Sequence, residues 1–186
     1  MEKHFELTDE TIEVYGKTLH RIRCRCDCKW ANAGDLGGFI EKEDNLSDNA
    51  WVSGNARVYG NAWVSDNAQV SGNARVYGNA WVSDNAWVYG NAWVYGDARV
   101  SGNARVSGNA RVSGNDDHCG FDVFGSIGRH THAYRTSDGG VEITCGCFHG
   151  DIEAFEAKVR HTHGDSQYAR EYLTIAHVIR VKFGLA

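Results

Sequence analysis

Apolar and polar positions recur with a period of six over residues 49–114. The run opens with Asn49-Ala50-Trp51-Val52-Ser53-Gly54 and closes with Asn109-Ala110-Arg111-Val112-Ser113-Gly114, with nothing inserted or lost. Side chains alternate along an extended backbone, so each alanine (Ala50, Ala56 and on to Ala110) shares an inward side with the valine two residues later (Val52, Val58 and on to Val112). The residue between them is Trp, Arg or Gln and faces outward. The Gly-Asn or Asp-Asn pair closing each word supplies a corner that needs positive φ. A fixed six-residue period predicts a parallel β-helix with Ala and Val as its core.

The likeness between words is strongest every third one. Residues 49–66 and 67–84 are identical except that Trp51 becomes Gln69. Three words therefore make one triangular coil, and stacking coils puts like on like. One face carries Trp51, Gln69, Trp87 and Arg105; a second carries Arg57, Arg75, Trp93 and Arg111; the third carries Trp63, Trp81 and Arg99. Tyr59, Tyr77 and Tyr95 align beside the second face. About four coils at the usual strand spacing give a prism on the order of 20 Å tall.

Outside the run the pattern changes. Residues 1–36 read as a β-hairpin cap: Thr11 to Val14, a turn at Tyr15-Gly16-Lys17, and a strand from Thr18 through Cys28. Residues 37–115 form the β-helix, with Ile40 and Leu46 of degenerate words keeping the valine register. Residues 116–186 read as an α+β module. Strands around Ala133–Thr136 and Val141–Phe148 flank the hairpin signal Ser137-Asp138-Gly139-Gly140. A helix with Ile152, Phe155 and Val159 on one face follows, and a second begins near Ser166 with Tyr168, Tyr172, Ile175 and Ile179 in a stripe.

The repeated Ala-x-Val words resemble the hexapeptide-repeat left-handed β-helix. The segments Gly34-Asp35-Leu36-Gly37-Gly38-Phe39-Ile40-Glu41-Lys42-Glu43 and Cys145-Gly146-Cys147-Phe148-His149-Gly150 are similar to flanks of phage-borne members. The resemblance implies a mainly β, left-handed parallel β-helix between a β cap and a small α+β module. It also implies a homotrimer and a phage source.

The net charge of -5 over 186 residues argues against a general nucleic-acid binder, which is usually far more basic. The start Met1-Glu2-Lys3-His4-Phe5-Glu6 lacks the apolar stretch of a signal peptide, and no run reaches a membrane span, so a cytoplasmic protein with no membrane contact is expected, and the phage resemblance implies that the cell is a bacterial host. Cys24, Cys26 and Cys28 alternate along the expected strand, where same-face neighbours fit disulfide geometry poorly. Reduced thiols are expected.

Function rests on the outward residues. Arg57, Arg75 and Arg111 offer forked donors beside the flat surfaces of Tyr59, Tyr77, Trp93 and Tyr95, which suits a phosphate-bearing base or a protein hot spot. Arg129, His130, His132 and Arg135, near the prism exit, form a second candidate site. Cys145, Cys147, His161 and His163 have soft-ligand chemistry but not the usual paired zinc spacing, so no metal and no cofactor is expected. The leading expectation is a non-enzymatic phage counter-defence inhibitor that sequesters a nucleotide second messenger or binds a host defence protein. Oligomer contacts are the plainer explanation of the aromatics. The resemblance to hexapeptide-repeat proteins implies a CoA-dependent acyltransferase as the first alternative, weakened because no histidine occurs in residues 21–117. A structural or assembly module is the second.

Overall fold

The computed structural model describes residues 3–185. After β1 (Phe5–Val14), β2 (Lys17–Cys24) and β3 (Leu36–Ile40), eleven two-residue rungs run from β4 (Trp51–Val52) to β14 (Arg111–Val112), one in each hexapeptide. They stack in parallel at an offset of three words: Trp51 on Gln69, Gln69 on Trp87, and Trp87 on Arg105 make one face. Arg57, Arg75, Trp93 and Arg111 make the second, and Trp63, Trp81 and Arg99 the third. The molecule is thus a parallel β-solenoid of about four turns, and every Ala and Val of the words lies in its core.

Backbone hydrogen bonds join the storeys, as in Trp51 N to Ala68 O at 3.0 Å and Ser53 N to Val70 O at 2.9 Å. Corners are held by two devices. Along one edge Asp48, Asp66 and Asp84 adopt φ of 54, 58 and 59°, and each carboxylate accepts the N–H of the next corner, as Asp66 N to Asp48 Oδ2 at 3.3 Å. Along another edge glycines stack tightly: Gly78 has φ +74°, and a Cβ there would lie 2.9 Å from Gly96 N. Asparagine side chains add ladders, as in Asn79 to Asp97 at 3.0 Å.

The N-terminal hairpin extends the second face. β2 pairs antiparallel with β3, and β3 pairs parallel with the Arg57 rung, giving a seven-stranded sheet. Phe5, Ile22 and Cys24 close the bottom of the solenoid core. The expected strand to Cys28 ends at Cys24, because the chain turns there and returns: Cys24 N bonds Asp35 O and Gly34 N bonds Cys24 O. The three cysteines consequently do not share a face: Cys24 is buried, Cys26 exposed and Cys28 half-buried. All six cysteines are free, and Cys24 Sγ lies 3.7 Å from Cys28 Sγ.

Beyond the last rung, β15 (His118–Phe124), β16 (Arg129–Arg135), β17 (Val141–Cys145) and β18 (Phe148–Asp151) form an antiparallel sheet, followed by α1 (Ile152–His163) and α2 (Gln167–Phe183). Val141 to Phe148 is not one strand as expected. Gly146, at φ +60°, turns it into a hairpin. One side of the sheet lies on the top coil, where Tyr134 is fully buried and its hydroxyl meets Ser107 Oγ at 2.9 Å. The other side packs on both helices through Ile143, Phe155, Val159, Tyr172, Ile175 and Ile179. Asp151 and Ser166 cap the helices by accepting from Ala154 N and Ala169 N. Tyr168 leaves the expected stripe and is 42% exposed, with its ring edge on His163.

Candidate functional site: solenoid faces and the C-terminal junction

The seven residues expected on the second face do come together, as a column packed against itself. Tyr59, Tyr77 and Tyr95 stack at 5.1 and 5.2 Å, nearly parallel. Arg75 and Arg111 lie 4.7 and 4.2 Å from the Trp93 ring, and Arg111 Nη1 donates to Ala110 O at 2.8 Å. Arg57 continues the file, pairing with Phe39 below and Arg75 above. The hairpin covers the lower end: Val14, Leu19, Phe39 and Tyr59 form a small apolar cluster. Burial pushes the Tyr59 hydroxyl up to about 12, and that hydroxyl has no hydrogen-bond partner. Intercalating a base between these tyrosines would part storeys that backbone hydrogen bonds hold about 4.8 Å apart.

The exposed aromatic area lies elsewhere. On the third face Trp63 stacks on Trp81 at 5.0 Å, and the two remain 40% and 37% exposed. Arg99 sits 5.5 Å from the Trp81 ring, and Trp63 Nε1 is anchored on Ser47 Oγ at 2.9 Å. On the first face Trp87 is exposed under Arg105, whereas Trp51 is buried against His4. The sequence places all these tryptophans outward, but which are covered depends on the cap, more than forty residues away along the chain for Trp51 and His4.

The second candidate group divides in two. Strand alternation sends His130 and His132 to the solenoid side of β16, with Arg129 and Arg135 on the helix side. His132, 1% exposed, meets the Arg105 carbonyl through Nδ1 at 3.1 Å, and His118 Nδ1 lies 3.0 Å from its Nε2. A carbonyl only accepts, so His132 Nδ1 carries the proton, its Nε2 accepts, and His118 Nδ1 donates. Burial drives His132 down to about 3 and lowers His118 too. His130 Nδ1 lies 2.7 Å from Asp122 Oδ1, while its Nε2 is buried without a partner. This pair borders a cleft of about 380 Å³ shared with Arg105, Arg129 and Thr144. Arg135 instead lies over Phe183 and pairs with Asp117 at 3.7 Å.

The Cys145-Gly146-Cys147 turn fastens module to solenoid. Arg105 Nη1 donates to Gly146 O at 3.3 Å from one side. From the other, the Arg129 guanidinium lies so close that a Cβ on Gly146 would overlap it. Of the soft-ligand residues, Cys145 is buried beside Thr131, Cys147 and His161 are exposed, and His163 stacks on Tyr172 at 5.6 Å. Among the described residues no three His, Cys, Asp or Glu side chains are grouped to hold a metal ion. Lys158, exposed on α1, and Tyr172 also line a hollow beside Arg129, although the sequence pattern marks Tyr172 only as part of an apolar stripe.

No helix among the described residues is long and apolar enough to cross a membrane. Comparison with curated proteins finds no match. Residues 50–66, 68–84, 80–96, 92–106 and 104–115 each match the YdcK beta solenoid repeat. The likeness to that repeat covers the regular rungs and stops short of the flanks, 34–43 and 145–150, on which the phage resemblance rests.

Proposed function

We propose that this is a non-enzymatic binding protein that docks a protein partner on the third face of its solenoid, in a phage counter-defence setting where the partner is a host defence protein. The observation that carries this reading is the stacked Trp63–Trp81 pair with Arg99 on its upper edge, 40% and 37% exposed on a rigid sheet. Aromatic and arginine side chains dominate interface hot spots, and holding them on hydrogen-bonded storeys lowers the ordering cost of binding. A nucleotide target is less well served, because the tyrosines that would stack a base already stack on each other.

The test is phage plating on hosts that carry defined defence systems and express the wild type, Trp63→Ser/Trp81→Ser, or Arg75→Ala/Tyr77→Ala. Loss of protection in the tryptophan variant alone supports the third face. Equal protection by that variant overturns it. Light scattering on the same proteins checks for self-association. If the homotrimer implied by the family resemblance forms and dissociates in the tryptophan variant, a second copy covers this face and the docking reading fails.

Acyl transfer is a second reading, favoured by one observation: the His130–Asp122 pair beside Arg105 and Arg129 has the composition of a general base next to an anion-binding cleft. It ranks second because His130 Nε2, the atom that would take the proton, is enclosed. Acetyl-CoA turnover that disappears in His130→Asn would establish it. No binding of acetyl-CoA at millimolar concentration would end it.

A further inference from the structure

A cavity of about 240 Å³ opens between the sheet and the helices of the C-terminal module, on the side away from the solenoid. Phe148, Phe155, Val159 and Tyr172 line its body, and Arg129 and Lys158 stand at its edge. Neither cation has a carboxylate within ion-pair distance among the described residues. The nearby acid, Glu171, is engaged with Gly125 N at 2.8 Å and Gln167 Nε2 at 3.0 Å. Two positive groups on an apolar cavity, with no internal counter-charge, are arranged for an anion with an apolar body.

The local sequence holds Arg129 in place. Gly146, with φ +60°, offers no Cβ, and the guanidinium occupies the space a side chain would fill. Tyr172 and Cys145 share the cavity wall, and His163 stacks on the Tyr172 ring, extending a flat aromatic surface. Size narrows the ligand further. The volume equals roughly eight waters at about 30 Å³ each and exceeds the roughly 150 Å³ that encloses benzene. It falls below the roughly 300 Å³ where sites for drug-sized ligands begin. The hollow itself matches one ring and an acid group.

We propose that this cavity binds a small planar aromatic anion, its acid group on Arg129 and Lys158 and its ring among Phe148, Phe155, Val159 and Tyr172. The site is separate from the solenoid face, so loss of the Trp81 surface leaves it untouched and the two proposals fail independently.

Calorimetric titration with benzoate, phenyl phosphate, benzamide and inorganic phosphate tests it. Saturable binding is expected for benzoate or phenyl phosphate, with benzamide and inorganic phosphate weaker by roughly tenfold or more. Arg129→Gln should weaken the aromatic acid by a similar factor and Lys158→Gln by less. Equal affinity for benzoate and benzamide, equal affinity for phenyl and inorganic phosphate, or no saturable binding at millimolar concentration overturns the proposal. So does unchanged affinity in Arg129→Gln. Should Arg129→Gln not fold, Lys158→Gln on the exposed side of α1 and the Val159 methyl shifts decide: weakened binding with shifted methyls supports the site, and unchanged affinity with unshifted methyls overturns it.

Discussion

Lowering the pH from 7.5 to 5.0 sets His132 against the fold. Its ring is 1% exposed between β16 and the top coil, with Nδ1 on the Arg105 carbonyl and Nε2 facing His118. Its neighbours favour the neutral form: His118 and His130 are like-charged when protonated, and burial is the largest influence. The native state therefore refuses a proton that the unfolded chain accepts near the ordinary value of 6.5, and does so until about pH 3. Stability from this group is complete above pH 6.5 and is lost as the pH falls toward 3. Each pH unit in that window costs about 1.4 kcal/mol, so pH 5.0 removes about 2 kcal/mol. His118, also lowered, acts in the same direction. The lowered carboxyls Glu41, Asp117 and Asp138 start from ordinary values of 4.5 or below and contribute mainly at lower pH. The assay is urea denaturation at half-unit steps from pH 7.5 to 4.5 for the wild type and His132→Gln, whose amide can donate to Arg105 O and accept from His118 but cannot ionise. Between pH 7.5 and 5.0 the wild type should lose about 2 kcal/mol more than the variant. Parallel stability curves would show that His132 is not held neutral by burial, and would refute the reasoning.

Three further outcomes follow from local geometry. Gly78→Ala places a Cβ 2.9 Å from Gly96 N at φ +74°, whereas Gly102→Ala, at φ +68°, meets nothing within 4 Å. Gly102→Ala should cost about 1 kcal/mol for the left-handed backbone alone, and Gly78→Ala clearly more, measured by thermal melts of the two variants side by side. Tyr59→Phe removes a buried hydroxyl without a partner, so its melting temperature should equal or exceed that of the wild type, a gain of up to about 1 kcal/mol. Timed alkylation with mass-spectrometric mapping should label exposed Cys26 and Cys147 first. Cys24 and Cys119, both pushed up to about 11 by burial, should react last.

The repeat made the solenoid legible because each hexapeptide states its own structure: inward Ala and Val, an outward third residue, and a corner residue able to take positive φ. The eighteen-residue likeness then fixed which side chains stack, and Trp63 on Trp81 and Tyr59 on Tyr77 follow from it. Helices α1 and α2 were visible for a similar reason, since caps and apolar spacing are local signals. Exposure was not legible. Trp51 and Tyr59 are as outward in sequence as Trp81, yet the N-terminal hairpin buries both, and pairing between β2, β3 and the Arg57 rung is not written in any one segment. The same holds at the other end. Sequence proximity joins Arg129, His130, His132 and Arg135, but strand alternation sends two toward the coil and two toward the helices. The cavity at Arg129 exists because Gly146, Lys158 and Tyr172 arrive there from three separate elements. The chain by itself determined the repeating architecture, which needs only short-range periodicity. The tertiary structure decided which surfaces stay open and where charge meets an apolar hollow, because burial depends on what distant segments place on top.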